Sequence, residues 1–193
     1  GMFDKESLTS IGISDKLPYF DYGFEFVKPK KHKPFLTQLF VKKNIYNFLI
    51  KLGLSNDSTV GDLSSGSLVE STNAIPIPKV LIETSDYRKT KLFNNNIFYK
   101  ASFAHGWFLN SEYVQDPYIH EKSLKIKSNL SSNSFFIFEL NHVVIWGGET
   151  KEYGSQPSTF QDFLKVIFAF PGGKNSIYQE QENSLGNHLG SWK

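Results

Sequence analysis

Residues 135–148 read Phe-Phe-Ile-Phe-Glu-Leu-Asn-His-Val-Val-Ile-Trp-Gly-Gly, the longest apolar run in the chain. β-Branched and aromatic side chains dominate it, and these suit a pleated, buried surface. Gly147 and Gly148 end it. The run reads as the central strand of a sheet, or as two strands that meet near Leu140 and Asn141. On one continuous strand His142 shares a face with Phe136, Phe138, Leu140, Val144 and Trp146, while Glu139 points the other way.

Several flanking segments also carry strand signals. Leu124 and Ile126 alternate with Lys125 and Lys127, the pattern of a half-buried strand. Residues 101–109 read as a strand broken at Gly106. Asn94, Asn95 and Asn96 form a turn between strand-like neighbours. Residues 75–83 begin as a proline-spaced extended segment and continue as a strand, and the prolines confine its start to an edge. In residues 17–27, Phe20, Tyr22, Phe24 and Phe26 share one parity and Asp21 and Glu25 the other, a strand weakened by Gly23.

Two segments carry helical signals, besides a short turn at residues 4–10. Residues 35–52 follow Pro34, a good first-turn residue, and place apolar side chains at helical spacing, with Gly53 as a C-cap. Residues 160–169 follow Thr159 as N-cap, with Asp162 at the third helical position. Phe160, Phe163, Leu164, Ile167 and Phe168 then make a core-facing stripe. Phe170-Pro171-Gly172-Gly173 stops this helix. Its start, residues 158–164, resembles the closing helix of a family of immunity domains, and no site residue is carried across from that likeness. The expected fold is α+β, with a mainly antiparallel central sheet and about two packed helices. A single domain over residues 1–193 is expected, with a polar loop at 55–73 and a polar C-terminal tail from 174.

Composition narrows the function classes. Aromatic residues make up 16 % of the 193 residues, enough apolar surface for one sizeable core. The net charge of +2 is too small to require a polyanionic partner. The absence of cysteine excludes disulfides, thiolate nucleophiles and thiolate metal sites. No apolar run reaches the ~18–20 residues a spanning helix needs. Met2-Phe3-Asp4-Lys5-Glu6 lacks the apolar core of a signal peptide, and Gly1 reads as a remnant of tag removal. A soluble, cytoplasmic chain with no membrane partner is expected.

No motif supplies complete chemistry. His32, His105, His120, His142 and His188 make no HExxH or similar metal-binding pattern, so neither a metal nor a cofactor is expected. His142 reads first as a hydrogen-bonded core residue. The one catalytic constellation worth naming is His105, Asp116, His120, Glu139 and His142, a set for general acid–base work. Within it, Glu139 and His142 meet only if the strand turns or bulges at Leu140–Asn141. Residues 171–175, Pro-Gly-Gly-Lys-Asn, lack the earlier glycine and the following Ser or Thr of a phosphate loop. Asn56-Asp57-Ser58 with Asp62 lacks the oxygen series of a calcium loop.

Between Glu25 and Asp57 the chain has no acidic residue but carries Lys28, Lys30, Lys31, Lys33, Lys42, Lys43 and Lys51. Lys30, Lys31, Lys33, Lys42 and Lys43 are the binding candidates there, together with Trp192. The expected function is a non-catalytic protein-binding module of the antitoxin, immunity or adaptor class. Its partner would be another protein or a second copy, docked on Tyr113, Tyr118, Tyr153 or Trp192. The alternatives are a hydrolase or transferase at the histidines, or a nucleic-acid-associated protein using residues 28–51.

Overall fold

The structure, a computed structural model, describes residues 8–29, 33–55, 76–91, 96–131 and 134–171. Among these residues there are twelve strands and one helix. The strands are β1 (Leu8–Lys16), β2 (Asp21–Pro29), β3 (Phe35–Ile45), β4 (Phe48–Leu54), β5 (Lys79–Thr84), β6 (Arg88–Lys89), β7 (Ile97–Trp107), β8 (Val114–Gln115), β9 (Tyr118–Asn129), β10 (Phe135–Trp146), β11 (Glu149–Thr150) and β12 (Gly154–Ser155). The helix is α1 (Phe160–Phe168). The main sheet runs β1-β2-β3-β4-β5-β7-β9-β10, every neighbour antiparallel, and β6 continues alongside β7. β12, β11 and β8 form a small second sheet.

The chain is therefore a largely all-β fold, not α+β with two packed helices. The difference lies in residues 35–52, which form the hairpin β3–β4 rather than a helix. Their apolar residues fit a helical stripe, but Leu39 and Val41, and Ile50 and Leu52, also alternate at strand spacing. Tyr46 and Asn47 make the two-residue connection, with Tyr46 in the left-handed region at φ 53°. Gly53 is not a helix cap but a strand residue at φ 119°, where an added Cβ would collide with the Leu39 carbonyl. Gly106 does not break β7, which is continuous from Ile97 to Trp107.

Residues 135–146 form one strand without a turn at Leu140–Asn141, and it is an edge strand, not the central one. Its first half is exposed, and Val143 and His142 are buried. The proline-led β5 lies inside the sheet, with Pro76 and Pro78 outside its ladder. Of the short helical turn expected at 4–10, residues 8–10 belong to β1 and the rest lie outside the described residues. So do most of the polar segments at 55–73 and from 174.

Helix α1 forms where expected. Thr159 accepts from the Asp162 backbone N–H, and the Asp162 carboxylate accepts from the Thr159 backbone N–H at 3.1 Å. The Thr159 hydroxyl donates to that carboxylate at 2.6 Å, which holds the Asp162 carboxyl below its ordinary pKa; Lys165, 3.0 Å away, adds to this. Ala169 ends the helix in the left-handed region at φ 57°. Thr159→Ala should cost about 1 kcal/mol by removing the cap. The same change should move the Asp162 titration midpoint up toward that of an ordinary carboxyl, which NMR titration checks. A depressed carboxyl stabilises the fold above its unfolded pKa, so this increment should fade as acid protonates Asp162.

The two faces of the main sheet differ, although at the β10 edge Phe135, Ile137 and Ile145 are exposed on the ion-paired side. Val27, Ala104, Ile119 and Val143, the buried apolar residues, share one face with buried Lys51 and Lys79. On that face Lys79 meets Glu121 at 3.1 Å, Lys100 meets Glu83 at 3.3 Å, and Lys42 meets Asp21 at 3.7 Å. Ser102 and Ser123 pair at 2.7 Å. Lys79 of β5 reaches Glu121 of β9 across β7, where Gly106 and Ala104 leave room. A Cβ on Gly106 would lie 2.9 Å from Ile119 and 3.1 Å from the Lys79 Cβ, and one on Gly23 would lie 2.5 Å from the Phe40 ring. Side chains therefore pack closely on this side of the sheet.

Candidate functional site

Three of the five candidate catalytic residues converge. His105 on β7 and His120 on β9 are direct cross-strand partners, and His142 stands one register step away on β10. Ring centroids are 6.4 Å apart for His105–His120 and 6.1 Å for His120–His142. All three lie on the face opposite the ion pairs, at the end of the sheet where α1 packs. The Phe163 ring packs on two of them, 5.0 Å from His105 and 6.4 Å from His120, both edge-on, and stacks at 5.8 Å on Trp146. Lys122 donates to the Ile167 carbonyl near the C-terminus of α1, a favourable place for a cation.

The two carboxylates do not join them. Glu139 faces the other side of β10, as strand parity requires, and pairs with Lys125 at 3.3 Å. Asp116 sits exposed in the loop before β9, its backbone N–H bonded to Asn110 Oδ1 at 2.7 Å. No group of three His, Cys, Asp or Glu among the described residues is arranged to hold a metal ion. His105 and His120 have the contacts of aromatic packing, including an edge-on approach of Phe103 to His120 at 4.8 Å. The fully buried His120 offers neither ring nitrogen to a well-formed hydrogen bond among the described residues.

The basic candidates are also separated. Lys42 and Lys43 are adjacent in β3 and so project to opposite faces, Lys42 toward Asp21 and Lys43 beside Ile50. Lys51 is buried and donates to Ser55 at 2.8 Å. Lys33 is exposed, while Lys30, Lys31 and Trp192 lie outside the described residues, as do His32, His188, Asp57, Asp62 and most of the 171–175 loop. Of the aromatic anchors, Tyr113 and Tyr153 are exposed and Tyr118 is half-buried against Trp146 and His105.

A further surface feature was not among the sequence candidates. One register row crosses all eight main strands: Asp15, Tyr22, Val41, Leu52, Val80, His105, His120 and Val144. The rows beside it bring Ile13, Phe24 and Leu39 together, and Ile50, Ile82 and Phe103. Away from α1 this face is apolar and open: Ile11 is 72 % exposed, Leu39 and Leu52 52 %, and Phe138 51 %. On α1 itself Phe160, Leu164 and Phe168 are exposed, so only part of the expected stripe faces the sheet. Alternation was visible in Phe24-Glu25-Phe26 and Val41-Lys42, but it does not say which side turns inward.

Fold and surface together define the class: a largely all-β, up-and-down antiparallel sheet with an ion-paired face and an exposed apolar face. No known family, curated protein or solved structure matches the chain. No described helix is long and apolar enough to cross a membrane.

Proposed function

We propose that this chain is a non-catalytic binding module whose working surface is the exposed apolar face of the main sheet. The observation that carries this reading is the reversal of the usual order. Charged residues are paired on the shielded side, and large apolar residues occupy the open side of every main strand. Contiguous exposed apolar area of that extent marks an interaction surface in a folded protein. The histidine cluster favours this over hydrolysis or group transfer, because it lies under Phe163 with neither candidate carboxylate beside it. The divided lysines favour it over nucleic-acid binding, which needs cations on one side.

The folded chain should bind an apolar fluorescent dye without denaturant. Changing Ile11, Leu39 and Leu52 together to serine should remove most of that signal. Because these side chains are exposed, each change should shift stability by no more than about 0.5 kcal/mol. Dye binding that is absent from the folded chain, or indifferent to the three serines, would count against the reading.

A further inference from the structure

We infer that the apolar face is covered by the hydrocarbon of a lipid bilayer, with the eight main strands lying in the membrane around a polar interior. This rests on the reading that the apolar face is the working surface. The lipid-facing side chains of a membrane-spanning sheet are apolar and those on its other face polar, the alternation these strands carry.

Three further features agree. The first is length: β1, β2, β3, β7, β9 and β10 have 9 to 12 residues, β4 has 7, and β5 is prolonged along β7 by β6. A tilted spanning strand needs about 9–11. The expectation of no membrane partner rested on helix length, a criterion blind to strands. The second is the placement of aromatics. Trp107, Tyr118 and Trp146 form one row at the α1 end, and Tyr99, with Tyr19 and Tyr46 in the strand connections, lies at the other, with Tyr22, Val41, Leu52, Ile82, Phe103 and Leu124 between. Aromatic girdles flanking an apolar band mark the two edges of the hydrocarbon. The third is charge. The outward face carries Lys28 near one end and Asp15 and Lys43 near the other, where headgroup phosphates and water would meet them. Lys122 is bonded to α1 instead.

An open ladder cannot sit in hydrocarbon. β1 and β10, the two edges, must therefore be satisfied in the bilayer. Being first and last of eight alternating strands, they run in opposite directions and can pair antiparallel. Apolar residues run to both edges, at Ile11 and Ile13 and at Phe136 and Phe138, and Phe163 of α1 packs on His105 and His120 between them.

The test is to refold the full chain with phosphatidylcholine–phosphatidylglycerol vesicles and separate bound from free protein by flotation. The chain should float, and the β1 and β10 amides should become protected from hydrogen exchange. Leu52→Lys and Ile82→Lys should each lower the bound-to-free ratio about tenfold or more, the effect of a cation within the lipid-facing band. Glu139→Gln, on the other face, should leave it unchanged. Circular dichroism in detergent micelles shows whether each variant has kept its sheet. A folded chain that stays at the bottom of the gradient overturns the proposal, as does flotation indifferent to both lysines. A dimer dissolved by Leu52→Lys overturns it too, but leaves the apolar face as the working surface. Indifference to these substitutions in flotation, dye binding and self-association alike counts against both.

Discussion

Replacing Glu121 with leucine should destabilise the fold by about 3–5 kcal/mol, the cost of removing one partner from a buried ion pair. Lys79 is 6 % exposed and its ammonium lies 3.1 Å from the Glu121 carboxylate. Without that carboxylate the cation stays in a site walled by Gly106, Ala104 and Ile119, where the loss of its carboxylate partner leaves more of its desolvation uncompensated. Lys79→Met combined with Glu121→Leu should recover most of the loss, since an apolar pair of similar size carries no desolvation cost. Denaturant melts of the wild type, both single variants and the double variant give the coupling. Small, additive losses would show that water reaches the pair and that this face is not an interior.

The second large effect is expected at Phe163. Truncation to alanine should cost about 3 kcal/mol, the low end for a phenylalanine, because the ring is half-buried. It should also loosen α1 from the sheet, because Phe163 is the ring that meets His105, His120 and Trp146. Trp146 fluorescence should report a wetter environment in the variant. Phe160→Ala, on the same helix but 71 % exposed, should cost less than about 1 kcal/mol. Equal costs at the two positions would mean that α1 is not anchored through Phe163.

Much of the local structure was legible in the sequence. The capping box at Thr159 and Asp162 is a short-range signal, and it appears as read. The alternation in residues 124–127, and the opposite parity of Glu139 and His142, follow from pleat geometry alone and also hold. What failed was long-range. Residues 35–52 satisfy a helical and a strand period together, and the choice falls to the neighbours β2 and β5, which supply ladders on both sides.

The site was legible in part. His105, His120 and His142 were named, but the register that makes His105 and His120 partners is set by pairing of β7 with β9, and spacing along the chain does not carry it. The larger error was one of direction. The side of Phe136, Phe138 and His142 was read as core because apolar residues usually turn inward. Here Gly23, Gly106 and Ala104 admit close packing on the other side, and the paired lysines and carboxylates fill it.

The absence of cysteine allows single cysteines to be placed without background. Nitroxide labels at positions 24, 25, 26, 27, 39, 40, 41 and 52, read by oxygen collision rates in vesicles, test the orientation of the sheet most directly. High rates should fall at 24, 26, 39, 41 and 52 and low rates at 25, 27 and 40, a period of two in phase with the apolar side chains. The opposite phase, or no alternation, would place the apolar residues inside and contradict the account.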